Sequence, residues 1–453
     1  MKKTLLLTSL VASMVAIAGT TGSVEGYNEN EATFPKDYDV TFVAKKLGVK
    51  TEVKVNGTGF SFGGDFKAEK LPLDLAPTKD EFLDYSKVWA KYELPELKGV
   101  KSYVQATAEP KFIGTATDKG SAELEGQVSY KYDTLTFSLN SKTNFPFVEK
   151  TSGKYENDVK STHKVFVESE KDKDVFVKGL KDVKANVEIK HNYAKGVTAE
   201  KRVDYVKGNV ELDYDGIKDL RMDGEIDFTV NVNGLKELGN TKLGDYNLKD
   251  HELVGTVRKT PVDFVHTYNA KLTYTGVKGL TLAVAPFVSH SQIKKGPLKI
   301  DDNTTIGDSN SKTDNVMYGA SLNAQYKMLN DQLTLTGKAL LAGDSVLING
   351  VNEVNVGVVS LGANAKYDYK VSDKFAVSPE ADAKLDLLIE DQQTVPLLTL
   401  TPKVSAEYKP TDTLTLKGSV EAPVKFGLDT AGTKFEYKQT QLKTSLNLKY
   451  EWK

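Results

Sequence analysis

Five histidines, His163, His191, His251, His266 and His290, are the side chains of this 453-residue sequence best suited to proton transfer near neutral pH. Enzymatic chemistry needs a nucleophile, a base and an orienting group brought together. The histidines are scattered and none sits in a recognisable motif, so no catalytic residue is assigned and the chain is not read as an enzyme. Hard cations prefer oxygen ligands, and Asp301, Asp302, Asn303, Asp308 and Asp314 crowd one segment. Their spacing matches no defined calcium loop and a bidentate glutamate is missing, so they read as a solvated loop. No metal and no cofactor is expected. The chain has no cysteine, which excludes thiolate metal sites, disulfides and a lipid-anchored cysteine.

What remains is charge at a spacing of two. From Leu220 to Val232 every second residue is apolar or glycine (Leu220, Met222, Gly224, Ile226, Phe228, Val230, Val232), and between them stand Arg221, Asp223, Glu225 and Asp227. A strand has period two, so one face is oily and the other ionic. The same phase puts Lys366 and Asp368, then Glu380, Asp382, Lys384 and Asp386, on the ionic side, followed by Lys403 and Glu407. Lys417, Glu421 and Lys425 continue it, and Lys443, Lys449 and Glu451 end it. Rings of one sign select ions, whereas mixed signs set a transverse field and a mild preference. These residues are therefore expected to line a water-filled lumen. Arg202, Arg221 and Arg258 are the only arginines, so no large guanidinium cluster narrows it; lysines act instead as softer point charges, or the passage is wide and poorly selective.

Such a wall needs strands long enough to cross a bilayer. Thirteen residues at about 3.3 Å each, tilted by roughly 40°, rise on the order of 30 Å, the thickness of the hydrocarbon. No stretch after the first 18 residues approaches the roughly 18 uninterrupted apolar residues of a membrane helix, so a membrane protein must here be built from strands. At the start, Lys2 and Lys3 precede an apolar run from Leu5 to Ala18, and Ala16-Ile17-Ala18 fits a cleavage site, so residues 1–18 read as an export signal. The composition, 39 % hydrophobic and 27 % charged, suits a barrel with a wet interior, in which only half of each strand is apolar. With 60 basic and 62 acidic residues, two of the lysines in the signal, the mature chain carries about −4, and nothing points to nucleic acid.

One unit recurs: an alternating run ending in tyrosine, a short polar turn, and a second run opening on a large apolar residue. Tyr214 leads to Leu220, Tyr274 to Leu280, Tyr369 to Phe375 and Tyr408 to Leu414, each at a spacing of six. Looser copies join Tyr92 to Val100, Tyr130 to Leu135 and Tyr326 to Leu333, and Val177 to Val183 keeps the spacing without the ring. These tyrosines, with Tyr450 and Trp452 of the last run, are expected to form one aromatic belt at the lipid boundary. Long polar connections, Asn144 to His163, Asn233 to Thr260, Ser291 to Asn315 and Leu428 to Thr433, belong to the opposite rim. Eight hairpins, the final strand, and one strand around Val53 to Phe66 give an all-β, single antiparallel up-and-down transmembrane barrel of about 18 strands, within a range of 16 to 20. Residues 19–36 are assigned to a periplasmic lead-in and 37–453 to the barrel. Val40 to Ala44 is either a further half-hairpin or an arm.

In this architecture the chain resembles bacterial outer-membrane β-barrel proteins of the porin type, with a lysine-rich, arginine-poor composition like that of fusobacteria-type barrels. The resemblance implies a Gram-negative outer membrane, a lipid bilayer as partner, and recognition by the assembly machinery through Leu446, Leu448, Tyr450 and Trp452. Lys453 follows the terminal aromatic, an offset of one from that signal. It also implies a homotrimer and passive diffusion of small hydrophilic solutes. Two alternatives remain: a surface-exposed structural or adhesive barrel, and a substrate-specific transporter. A sugar slide needs a line of inward aromatics, and most strand tyrosines fall on the outward phase. The loop from Asn233 to Thr260, the longest, is the expected constriction.

Overall fold

The computed structural model describes residues 19–36, 39–72, 86–110, 120–147, 159–193, 202–232, 261–296, 308–390, 393–429 and 432–452, together with a few short pieces between them. The leader, most of the connection from Asn233 to Thr260, and Asp301 to Asn303 lie outside the described residues.

Strands begin where the tyrosine units place them. After β1 (Thr20–Pro35), β2 (Thr41–Val55), β3 (Phe60–Pro72) and β4 (Lys87–Leu97) come β5 (Val100–Pro110), β6 (Gly120–Tyr132), β7 (Leu135–Pro146) and β8 (Lys160–Ser169). Next are β9 (Leu180–Asn192), β10 (Val203–Ile217), β11 (Leu220–Asn231), β12 (Phe264–Val277), β13 (Leu280–Ile293) and β14 (Thr313–Met328). Then follow β15 (Leu333–Ile348), β16 (Val351–Tyr367, resuming at Tyr369–Ser372), β17 (Phe375–Glu390) and β18 (Gln393–Thr411). The last are β19 (Leu414–Glu421, resuming at Val424–Leu428) and β20 (Phe435–Trp452). Pro423 lacks an N–H, which explains the break in β19; Ala422 N donates to Pro402 O and Gln441 N to Pro423 O, both at 2.9 Å, across the gap.

Each strand pairs antiparallel with the next, and β20 pairs with β1, from Gly22 opposite Trp452 to Pro35 opposite Gln439. The sheet is a closed up-and-down barrel of 20 strands rather than about 18. Closure leaves no edge with unpaired backbone. Twenty strands about 4.8 Å apart, tilted by roughly 40°, give a backbone radius of about 20 Å. No helix occurs among the described residues.

The two extra strands come from the first 55 residues. Thr20–Pro35, expected as a lead-in, is a full barrel strand between β2 and β20. The single strand expected around Val53 to Phe66 is the end of β2 and the start of β3, joined by a turn at 56–59 with positive φ at Gly57 and Gly59. Val40 to Ala44 leads into and opens β2. The loops are also less strictly sorted than expected. β15 joins β16 on the long-loop rim through Asn349-Gly350, both left-handed (φ 51° and 84°), as a two-residue hairpin turn requires. On the tyrosine rim, ten residues (170–179) separate β8 from β9, which starts at Leu180 rather than Val183.

Candidate functional site: the ionic face of the wall

Register fixes which side chains share a face. On β11, Met222 lies opposite Tyr214 and Leu272, and Ile226 opposite Val210 and Tyr268, so apolar residues line up across β10–β12. The residues between them form the ionic face. Tyr92, Tyr130, Tyr274, Tyr326, Tyr369, Tyr408 and Tyr450 stand on the apolar face, each two-fifths to one-half exposed, close to the short turns. Tyr214 is more covered, because its ring folds back over Gly216 and Gly179. Trp452 sits over Gly22 on the same face.

The ionic face is not uniform around the ring. From β16 to β1, one row alternates in sign at every strand: Lys366, Glu380, Lys403, Glu421, Lys443 and Glu31 are successive register partners. Lys443 Nζ lies 3.1 Å from Glu421, and Lys403 Nζ 3.9 Å from Glu380. Near the tyrosine rim, Glu407 is held between Lys409 (2.5 Å) and Lys417 (2.8 Å), Lys366 reaches Asp368 at 2.9 Å, and Lys449 reaches Glu451 at 2.5 Å. Lys384 bonds Asp386 along its own strand at 3.1 Å. Asp382 faces Asn364 and Thr401. Opposite charges directly across a ladder attract, so this arc neutralises itself.

The arrangement at β10/β11 is the reverse. Asp213 is opposite Asp223 and Glu211 opposite Glu225, like charges in direct register. Arg221 bridges Asp213 and Asp223, its Nε 2.6 Å from Asp223. Asn209 donates to Asp227 (2.9 Å) and Glu225 (3.3 Å), Asn269 donates to Glu225 (3.2 Å), and Lys184 pairs with Glu211 (2.9 Å). Neutral amides supply part of the compensation, and the five carboxylates of Glu211, Asp213, Asp223, Glu225 and Asp227 outnumber the cations Arg221, Lys184 and Lys271 set against them. Arg221, Asp223, Glu225 and Asp227 thus come together with Glu211 and Asp213, which the sequence reading passed over. Lys271 of β12 lies opposite Asp223 in the register, and Lys338 stands on the same face of β15.

Beside the alternating arc, and overlapping it on β16 and β17, the same face turns apolar. Phe287, Met317, Leu340, Ala342, Val358 and Leu388 form a buried cluster on β13 to β17. Their phase is that of Lys384 and Asp386, not that of Leu385 and Leu387, which is why a rule of charge-or-grease by parity missed them. Short-range alternation was the one available signal, and here both parities are apolar.

Asp314, from the acidic segment, lies on the apolar face near the long-loop rim, within 3.0 Å of Lys312 and 3.1 Å of His290. Asp308 caps its own turn, accepting from Asn310 N at 2.8 Å, and these backbone bonds hold its carboxyl below the usual range. No group of three or more metal-ligating side chains occurs among the described residues.

A closed antiparallel ring with an apolar face and an ionic face has known counterparts. Over 96 % of its length, and 70 % of the other chain, the protein superposes on a chain of the FpvAI–pyocin S2 complex at 10 % identity and a TM-score of 0.51. OccAB2 of Acinetobacter baumannii matches over 96 % and 99 % of the two chains at 9 % identity and a TM-score of 0.41. OmpT of Vibrio cholerae, expressed in the outer membrane, matches over 96 % and 99 % at 11 % identity and a TM-score of 0.33. The chain has the fold of the bacterial outer-membrane β-barrels. Only the fold follows from identities so low. No protein-family model matches its sequence, and no curated protein does either.

Proposed function

We propose that the protein is an integral porin of a bacterial outer membrane, forming a water-filled channel for passive diffusion of small hydrophilic solutes. The observation that carries this is the segregation of faces around a closed ring. Large side chains such as Leu341 (65 % exposed) and Leu361 (49 %) crowd one face, while the ion-paired rows occupy the other. Apolar side chains facing lipid and charges facing water is the lower-energy arrangement, since a bare charge in hydrocarbon is costly. The channel lowers the barrier to permeation by replacing lipid with water, and wall charge and loops set its preference. The alternating arc contributes little net field. The seam at β10/β11 attracts cations. No enzymatic step and no cofactor is involved, and the last strand serves recognition by the assembly machinery.

Purified protein in planar bilayers should show stepwise conductance; protein that inserts and stays silent would leave only a barrel that anchors surface loops. Deleting most of the loop from Asn233 to Thr260 should raise conductance if it narrows the passage. A homotrimer should appear as cooperative triple steps. A substrate-specific transporter is the second reading, favoured by the apolar arc around Phe287 and Met317, which offers a surface to an amphiphilic solute. Saturable block of the conductance by such a solute distinguishes the two.

A further inference from the structure

Four of the five histidines stand as two cross-strand pairs, and both pairs are on the apolar face at the long-loop rim. His266 on β12 is directly opposite His290 on β13, with ring centroids 5.0 Å apart at 70°. His163 on β8 and His191 on β9 are diagonal neighbours, centroids 5.4 Å apart at 64°. Each of the four is one to three residues from the strand end that runs into a long connection. All four side chains are partly exposed, on the outer face of the wall beside the long connections.

We propose that each pair is a two-histidine site for a borderline transition-metal cation such as Zn²⁺ or Cu²⁺. Imidazole is the natural ligand of these ions. With a metal–nitrogen bond of about 2.0–2.1 Å, the centre of a coordinating ring stands about 3.2 Å from the ion. Two ring centres 5.0 or 5.4 Å apart then subtend roughly 100–115° at the metal, close to tetrahedral. The ring spacing therefore matches that of two imidazoles sharing one ion.

The hydrogen bonds around the pairs point the same way. His290 Nε2 lies 3.1 Å from Asp314 Oδ1. A carboxylate only accepts, so Nε2 carries the proton and Nδ1 keeps the lone pair that a metal needs. His163 Nδ1 lies 3.0 Å from Ser141 Oγ; a hydroxyl donates or accepts, and in the tautomer in which it accepts from Nδ1 the lone pair for a metal is on Nε2. One histidine in each pair is thus oriented by an oxygen partner, the outer-shell support typical of metal-binding imidazoles. Aromatic neighbours hold the second ring: Phe264 stacks on His266 at 11°, and Tyr193 on His191 at 17°. Two ligands per ion leave positions for water or for an anionic oxygen. Bound metal would clip β8 to β9 and β12 to β13 where the strands leave the wall.

The test uses the untagged mature chain, folded in detergent, titrated with Zn²⁺ by calorimetry and with Cu²⁺ by electron paramagnetic resonance. Two ions per chain are expected, each Cu²⁺ showing coupling to two nitrogens. His191→Gln and His266→Gln should each remove one ion, and the double variant both; Ser141→Ala and Asp314→Asn should weaken their sites by about 10–100-fold. Zn²⁺ should raise the unfolding temperature of the wild type and not of the double variant. Retained heat-modifiable mobility on gels shows that the variants are folded. Absent saturable binding, or a stoichiometry unmoved by the substitutions, overturns the proposal; a single ion per chain overturns it for the pair whose substitution is silent.

Discussion

Asp213 and Asp223 occupy directly opposed positions on β10 and β11, and Arg221 is the cation that bridges them. Like charges across a ladder repel, so Arg221→Gln releases two carboxylates toward each other. Because Arg221 is about half exposed, the cost to stability should stay near 0.5–1 kcal/mol. The larger effect belongs to permeation. In a salt gradient the reversal potential should move toward the cation value. An unchanged potential would remove the seam from the conduction path.

Gly22 tests the closure of the ring. A Cβ there would meet the Glu52 carbonyl and lie 2.5 Å from Trp452 Cζ2, so Gly22→Ala must displace both β2 and the indole. Overpacking of this kind costs about 1–3 kcal/mol. The folded, heat-modifiable fraction should fall in urea titrations relative to wild type, and Trp452→Ala should partly restore it.

Depth along the apolar face makes a third test. Leu322 lies near the middle of β14 and is 55 % exposed, whereas Tyr326 is near the turn. If that face meets lipid, Leu322→Arg should destabilise the barrel in bilayers by about 2–4 kcal/mol and Tyr326→Arg by about 0–1 kcal/mol. Equal costs would place the lipid elsewhere.

A pH test falls on the connection between β19 and β20. Asp429 accepts from Thr433 N at 2.8 Å and Lys434 N at 3.2 Å, and these bonds hold its carboxyl below the ordinary value. A depressed carboxylate stabilises its turn above the unfolded pKa, near 3.9, and loses that contribution as pH falls through the lower folded value. Amide exchange at Thr433 and Lys434, corrected for intrinsic rates, should show protection at pH 6 that fades below about pH 3.9. Asp429→Asn should lose the pH dependence.

Most hairpins were legible because a tyrosine, a short turn and a large apolar residue mark each one, and Leu220, Leu280, Phe375 and Leu414 do begin strands. β1 was not, for a physical reason. Its apolar-face positions are Gly22, Val24, Gly26, Asn28 and Asn30, with little grease to reveal a period. Its register is set instead by Glu25 and Glu29 against Lys50 and Lys46 of β2, and by Glu25 and Glu31 against Lys449 and Lys443 of β20. β2 is further obscured by the register slip at Glu29/Asn30, which leaves Lys45 over. The apolar phase also shifts from Val53 and Val55 to Phe60 and Phe62 across 56–59, a change of parity that identifies a turn. At the candidate site, the ionic residues could be read off one strand at a time. Whether they meet friend or foe across the ladder could not, because register is a property of pairs.

The bond from Asn30 Nδ2 to Thr444 Oγ1 joins residues 414 apart in sequence. A chain emerging from its N-terminus therefore offers β1 no mate on one flank until the very last stretch arrives. Contacts of such separation are slow to form, and an unmated strand invites intruders. Glutamates and glycines suit β1 to that long wait: acidic, sparsely greasy, it is a poor template for aggregation yet keeps a charge code that β20 alone completes.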